Sequence, residues 1–430
     1  MIDSLPPDTH TVILALGDLS GILRGKRLHV SMWDRACRTG IAMANAIFVL
    51  DMTCDIWDTP YANMGTGYPD FVVHPIEGTL RPVPWSEGTV LAIGEAREED
   101  GSPVRVDPRG RLVRVVEKAA VMGYDAKIGT ELEFFLLDPE TKRPLDTGIQ
   151  VYGIARGAMF EHVLGPIRNL CTEFGIPIEL SNPEYSPGQF EVNIHYASAL
   201  TAADNAMLFR NAVKEIAADH GLLATFMAKP FSDLSGSGFH VHQSLWFDGR
   251  NAFSDGSGHL SDVGRWYLGG LRRHMRELAL LGAPNPNSFR RRQPYTFCPT
   301  NTTWGGDNRT VGIRAVEGHD EAVRVEQRDG SADANPYLLV AGQLAAGLWG
   351  IENEADPGPR TDGDAYAIDD VEAIPATVPE AVEALRGSAL AKELLGDELL
   401  EIIVGMAERE QAFVAAAVTD VERARYLEAY

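Results

Sequence analysis

The sequence predicts an α+β fold in two parts, and three observations carry that prediction. The first hundred residues alternate short β-type runs with turns. From Pro108 onward, strand-like segments alternate with longer segments of helical period. No internal repeat or low-complexity tract interrupts either part. At 430 residues the chain is long for one domain, and its 45% hydrophobic and 23% charged content is ordinary for a protein with a large core.

Taken in order, THTVILALGDLSGILRGKRL holds two β-type runs around a turn at Asp18–Gly21, and YPDFVVHP and GTVLAIGEA read as further strands. SPVRVDPRGRLVRVVEKAAVMGY then changes period, with Pro108 at the start of a helix that ends near Gly123. The domain boundary is expected near residues 100–108. Thr201 and Asp204 read as a capping box opening the helix TAADNAMLFRNAVKEIAADHG, which stops at Gly221. SDVGRWYLGGLRRHMRELALL, the segment from Ala334 to Gly350 and most of 379–430 also read as helices. EADPGPRTDGDAYAIDD reads as an exposed loop.

Charge narrows the function. With 61 acidic and 38 basic residues the formal charge is −23, which argues against a nucleic-acid or anionic-membrane partner. Most of those carboxylates are expected on a solvated surface, but some are free to hold hard cations. The four cysteines are scattered without CxxC spacing, so a reduced, cytoplasmic protein is expected. The start, MIDSLPPDTH, has no secretory pattern, and NPYLLVAGQLAAGLWGIEN is too short and broken to span a bilayer.

Four strand-like segments place polar residues at period two, hence on one face. In KIGTELEFFLLD these are Glu131 and Glu133, opposite Leu132 and Phe134. In GQFEVNIHY they are Glu191, Asn193 and His195, and in GFHVHQSLW they are His240 and His242. In AVRVEQRDG they are Arg324, Glu326 and Arg328. A half-solvated sheet gives the same pattern in any one strand, but four strands with apolar backs favour a site. Carboxylates gathered closely repel one another unless cations compensate, and Mg²⁺ or Mn²⁺ suits oxygen ligands, Mn²⁺ taking imidazole more readily. Whether His240 and His242 share one metal stays open on spacing alone.

Arginines form a second set: Arg290, Arg291 and Arg292 in NSFRRRQP, then Arg309, Arg314 and Arg328. Guanidinium groups beside clustered carboxylates suit a substrate rich in phosphate and carboxylate oxygens. SGILRGKRL is not a phosphate loop, because Gly21 and Gly25 lie one residue too close and Arg27 replaces the required Ser or Thr.

Together GTELEFF, NPEYSPGQFE, GSGFHVHQSLW, NSFRRR, DNRTVGIR and RVEQRDGSADANPYL resemble, in order and spacing, the bacterial type I glutamine synthetase superfamily. The resemblance implies a small β-grasp-like domain over residues 1–104. It implies a catalytic domain over 105–430, with a curved antiparallel sheet flanked by helices. It further implies that Glu133, Glu184 and Glu191 hold one divalent metal, and that Glu131, His240 and Glu326 hold a second beside the ATP phosphates. His242 and Ser244 would contact the nucleotide, with Arg314 near its phosphates. Arg291 and Arg328 would bind glutamate carboxylates, Gly236 would lie against the glutamate backbone, and Arg309 would neutralise the phosphoryl group in transfer. Family members form two stacked hexameric rings with active sites between subunits, so a dodecamer is implied.

The sequence leaves the pattern of the ammonia-using enzymes at the acceptor side. Phe297 stands where they carry an acidic flap residue, and no carboxylate lies between Pro294 and Cys298. Only Asp51 in VLDMTCDIWDTP matches their N-terminal ammonium-binding stretch, and Ser235 replaces an asparagine of the glutamate loop. The segments DLSGILRGKRL and NSFRRRQP also resemble the γ-glutamyl-polyamine and γ-glutamyl-monoamine ligases. The expected activity is ATP-dependent ligation of glutamate to a small amine or polyamine through γ-glutamyl phosphate; Trp57 reads first as a core residue and only second as an aromatic contact for the amine. The alternatives are a true glutamine synthetase and a catalytically silent regulatory or scaffold homologue.

Overall fold

The computed structural model describes residues 4–149 and 151–429. Its N-terminal sheet is built from β1 (Thr11–Gly17), β2 (Leu23–His29), β3 (Ile41–Ala44), β4 (Asp70–Pro75), β5 (Arg81–Pro82) and β6 (Thr89–Arg97). Their order is β2-β1-β6-β4-β3, with β5 beside β6. β1 and β2 form the expected hairpin, and β1 pairs parallel with β6, giving the mixed sheet of a β-grasp unit. The Trp33–Thr39 helix packs against β4.

The second sheet contains β7 (Asp125–Leu137), β8 (Ile178–Pro183), β9 (Gln189–Ser198), β10 (Leu223–Thr225) and β11 (Phe239–Phe247). It continues with β12 (Arg250–Asn251), β13 (Trp304–Gly305), β14 (Ile313–Val316) and β15 (Arg324–Gln327). The order is β13-β14-β15-β11-β7-β9-β8, antiparallel except between β13 and β14. The long β7 is central because its Leu132, Phe134 and Leu136 side chains are wholly buried on one face. The helix Ala199–Asp219 covers that face. The α+β architecture, with helices flanking the second sheet, is therefore the one the sequence predicts.

Local chemistry accounts for the helix starts. Asp107 caps the helix Pro108–Val121 by accepting from Arg109 N at 3.1 Å and Gly110 N at 3.2 Å, with Pro108 at the first position. The helix Pro336–Glu352 is capped by Asn335, again with proline next, and is buried almost all round. No helix of the described residues is long and apolar enough to cross a membrane.

Two expectations need correction. Thr201 and Asp204 do not form a capping box: the helix begins at Ala199, after Ser198, whose hydroxyl donates to Thr201 Oγ1 at 2.8 Å. Asp204 instead turns inward and takes a bidentate pair from Arg109, both bonds 2.9 Å, and a hydroxyl bond from Tyr337 at 2.8 Å. A buried guanidinium holds a carboxylate more strongly than an exposed backbone N–H does. The 354–370 loop is irregular but not free. Thr361 N donates to Trp304 O at 2.8 Å, Asn308 Nδ2 donates to Gly363 O at 2.8 Å, and Ala365 is fully buried.

Candidate active site

The polar face of the second sheet is set by its register. Phe134, Val192, Val241 and Val325 are buried on the opposite face, so their neighbours in sequence must project the other way. Across the strands, His240 pairs with Glu131, Glu131 with Asn193, and Glu133 with Glu191. On the other side His242 pairs with Glu326, and Glu326 with Arg314. Directly opposed residues have Cβ atoms about 5 Å apart, so these pairings alone gather the carboxylates.

The cluster is strongly unbalanced in charge. Burial pushes the Glu191 carboxyl up to about 10, reinforced by Glu131, Glu133 and Glu184. Burial and then Glu133 raise Glu184 to about 7. Burial would also raise Glu131, but His242 and His240 overcome it and hold that group well below the usual range. Glu326 is likewise brought down to about 2, against its burial, chiefly by Arg328 and the two histidines. One end of the site is thus neutralised by the chain itself, whereas the other keeps two carboxylates that only a proton or an added cation can satisfy.

These residues fit divalent cations. Glu131, His240 and Glu326 each offer a ligand atom within 4.8 Å of the others, and so do Glu133, Glu191 and His240. The first group is the trio expected for the ATP-side metal. In the second, His240 joins Glu133 and Glu191, while Glu184 is held beside them by Asn182 Nδ2 at 3.0 Å and Tyr185 N at 3.3 Å. Glu133 accepts from Gly238 N at 2.8 Å, which fixes its orientation.

The two histidines occupy different environments. His240 Nδ1 lies 3.3 Å from Glu131 and 3.7 Å from Glu326, while its Nε2 is 3.9 Å from Glu133, so the ring stands between the two groups. His242 Nδ1 accepts from Arg324 Nε at 3.1 Å, which assigns the proton to Nε2, and Nε2 donates to Glu131 at 2.8 Å. Both nitrogens of His242 are therefore engaged, and it orients Glu131.

His242 and Ser244 also line a cavity of about 540 Å³ with Lys127, Tyr196, Trp246 and Arg324. Arg314 lies outside that lining, bonded to Glu326 at 2.9 Å and to Asp307 at 2.6 Å. Sequence parity points His195 into the site, yet it is exposed and stacked on Tyr196 at 4.6 Å. The cause is a bulge: Thr130 pairs with Ile194 but Ile128 with Ala197, so β9 carries an extra residue and Tyr196 takes the site side. A bulge leaves no mark in hydrophobic alternation. Trp246 could have been read, since it continues the period of His240, His242 and Ser244.

The arginines separate by role. Arg291 is buried, donates to Gly330 O at 3.0 Å, and leaves no room for a side chain at Gly236, where a Cβ would lie 2.6 Å from Arg291 Cγ. Arg328 is buried against Glu326. Arg290 is exposed, and Arg292 is buried structural support, donating to Pro375 O at 2.8 Å and lying over the Phe289 ring.

The remaining wall is made of loops. Arg309 is half-exposed and shares an open groove with Phe297. Tyr152, Tyr295 and Phe297 all adopt positive φ, 58°, 63° and 57°, a conformation L-residues hold only under constraint. Tyr152 was not foreseen. Burial raises its hydroxyl pKa, with Glu184 and Glu191 adding to the effect, which places it beside the carboxylates. Trp57, by contrast, packs under Arg409 at 5.7 Å and against Gly405 of its own chain's helix Ala389–Ala416, half-buried against the core.

A sheet that presents paired carboxylates, histidines and buried arginines beside a cavity of about 540 Å³ is suited to divalent cations and to a substrate rich in anionic oxygens. The family description "Glutamine synthetase, catalytic domain" matches residues 105–426, and the chain belongs to this family of ATP- and divalent-metal-dependent carbon–nitrogen ligases. It is 38% identical to a γ-glutamylethanolamide synthetase of Streptomyces coelicolor over 98% of this chain and 93% of that one. It is 35% identical to a glutamate–isopropylamine ligase of a Pseudomonas species over 97% and 95% of the two chains. A solved GmaS–ADP complex superimposes with a TM-score of 0.88 at 32% identity, covering 98% of this chain and 97% of that one.

Proposed function

We propose that the protein joins the γ-carboxylate of glutamate to a small primary amine, with ATP supplying a γ-glutamyl phosphate intermediate. The observation that carries this reading is the split within the site. The carboxylate–histidine face and the buried arginines are complete, while the acceptor rim has Phe297 and no flap carboxylate. Ammonium needs negative charge to gather and deprotonate it. An alkylamine gains from aromatic walls such as Phe297 and Tyr152 instead. The identities to ligases of ethanolamine and isopropylamine support the same reading.

In this reading Glu133, Glu184 and Glu191 hold one Mg²⁺ or Mn²⁺, and Glu131, His240 and Glu326 hold another. Such cations screen the approach of a carboxylate to a triphosphate. Arg291 and Arg328 hold the glutamate carboxylates, with Gly236 giving close approach to its backbone. His242 and Ser244 line the nucleotide cavity. Arg309 and Arg314 stand on the phosphoryl side, where positive charge stabilises charge developing in transfer. We place the functional division at residues 104–105 and the active protein as a cytoplasmic dodecamer with sites between subunits.

A coupled ADP-release assay over ammonium, ethanolamine, putrescine, spermidine, methylamine and isopropylamine tests the proposal. At least one amine is expected to exceed ammonium in kcat/KM by about tenfold or more. Ammonium as the best acceptor would establish a glutamine synthetase instead, and no ADP release with any acceptor would point to the silent homologue.

A further inference from the structure

The face of the second sheet turned away from the site carries two buried glutamines. Strand alternation puts Gln243 with Val241 and Leu245 on that face, and Gln327 with Val325. Each is a sequence neighbour of site residues: Gln243 lies between His242 and Ser244, and Gln327 between Glu326 and Arg328. A buried amide costs stability unless its polar atoms are bonded, so both positions call for a reason. Beside them, between the helices Asp262–His274 and Pro336–Glu352, lies a cavity of about 10 Å³. It is lined by His274, Gln327, Asp329 and Gln343 among apolar residues such as Leu271 and Leu339. That is room for one water molecule and nothing larger.

Three of these residues, each 6% exposed or less, hold a buried polar atom with no partner among the described residues: His274 Nε2, Gln327 Oε1 and Gln343 Nε2. Their other bonds fix what each atom is. His274 Nδ1 lies 2.9 Å from the Glu277 carboxylate, which also accepts from Arg273 and Ser388. A carboxylate so surrounded by donors is ionised, so Nδ1 carries the proton and Nε2 of the neutral ring accepts. Gln327 Nε2 donates to Asp329 at 2.8 Å, which leaves Oε1 as an acceptor. The buried Tyr267 hydroxyl donates to Gln243 Oε1 at 2.5 Å, and Gln243 Nε2 donates to Gln343 Oε1 at 2.8 Å. Gln343 Nε2 is then a donor. Two acceptors and one donor complement a water, whereas a cation offers nothing to the Gln343 amide and an anion nothing to the two acceptors.

We propose that this cavity binds one water, which donates to His274 Nε2 and Gln327 Oε1 and accepts from Gln343 Nε2, and that through it Gln327 positions Glu326 and Arg328. The water ties β15 to both helices. Gln343 carries the tie on to Gln243, so β11, which bears His240 and His242, is held from behind by the same network. Successive side chains project to opposite faces of one strand, so a β15 loosened at Gln327 also shifts Glu326 and Arg328. Gln327 thus acts on the site while touching neither metal nor substrate, and its effect on glutamate rests on the ligase reading above.

A high-resolution crystal structure of the assembled full-length protein tests the water, with one peak expected about 3 Å from all three atoms. No peak there, or a peak out of reach of any one of the three, would overturn the site. The positioning role is tested in Gln327→Met and Gln343→Met, which keep length and lose the amide. Calorimetry with Mn²⁺ is expected to show binding weakened about tenfold in Gln327→Met and about threefold in Gln343→Met, whose change lies one water further from the site. The glutamate KM is expected to rise about fivefold in Gln327→Met. A lowered Tm in both variants, with Mn²⁺ affinity and glutamate KM unchanged, would mark a merely structural amide and overturn the positioning role. Weaker Mn²⁺ binding in the variants of a parent that turns over no glutamate would sink the ligase reading and leave that role standing.

Discussion

The two sides of the active site are built from different material. The side proposed for metals and phosphate stands mainly on β7, β9, β11 and β15, where register gives Glu131, Glu133, Glu191 and Glu326 partners across the sheet; Glu184 follows β8. The side proposed for the acceptor stands on loops, with Tyr152, Tyr295 and Phe297 in left-handed backbone conformations and half or more exposed. The lesson is a division of labour. The sheet is suited to the chemistry of glutamate activation, which demands fixed charge, while loops can change the nucleophile without disturbing it.

Breaking the sheet side is expected to have the largest effect. Glu131→Gln removes the carboxylate that both histidines hold, and kcat should fall by about 10³-fold with any acceptor, measured as ADP release. Arg328→Lys loses the planar fork beside Glu326, and kcat/KM for glutamate should fall about 10²-fold while the ATP KM stays within about twofold. A loss confined to ATP would contradict the assignment of Arg328.

The histidines sharpen the comparison further. His240→Ala should weaken Mn²⁺ binding by about 10² or more, since the ring stands between both groups. His242→Ala should raise the ATP KM and cost metal affinity about tenfold, through a less constrained Glu131. Equal losses of metal affinity would mean that the pair shares one metal.

Titration of the carboxylates predicts a pH effect of definite sign. Glu184 and Glu191 sit at about 7 and about 10, above their ordinary value of 4.5, so both are protonated in the metal-free fold at low pH. Their contribution to stability is complete below about pH 4.5 and is lost as pH rises through those values. Divalent cations replace the protons, so the Tm gain on adding Mn²⁺ should be larger at about pH 8.5 than at about pH 6. An equal gain at both would contradict the carboxylate imbalance.

The same contrast explains what the sequence revealed. Period-two spacing exposed Glu131, Glu133, His240, His242 and Glu326 because strand alternation maps directly onto faces, and the fold class followed from where strand and helix periods change. The bulge in β9 leaves no trace in the pattern, since an added residue alters facing without altering composition, and parity therefore points to His195 rather than Tyr196. Asp204 misled because local capping chemistry and a distant buried arginine compete for one carboxylate. Tyr152 escaped because a loop residue has no period, and its partners lie some thirty to forty residues away, at Glu184 and Glu191.

The central claim is that the loops choose the nucleophile over an unchanged activating sheet. It is tested most directly by comparing Phe297→Glu with the parent protein, using ADP release with the best amine and with ammonium. The account predicts that the ratio of kcat/KM for amine to that for ammonium falls by about tenfold or more, while the KM values for ATP and glutamate hold within about twofold. An unchanged ratio, or equal loss with both nucleophiles, would contradict it.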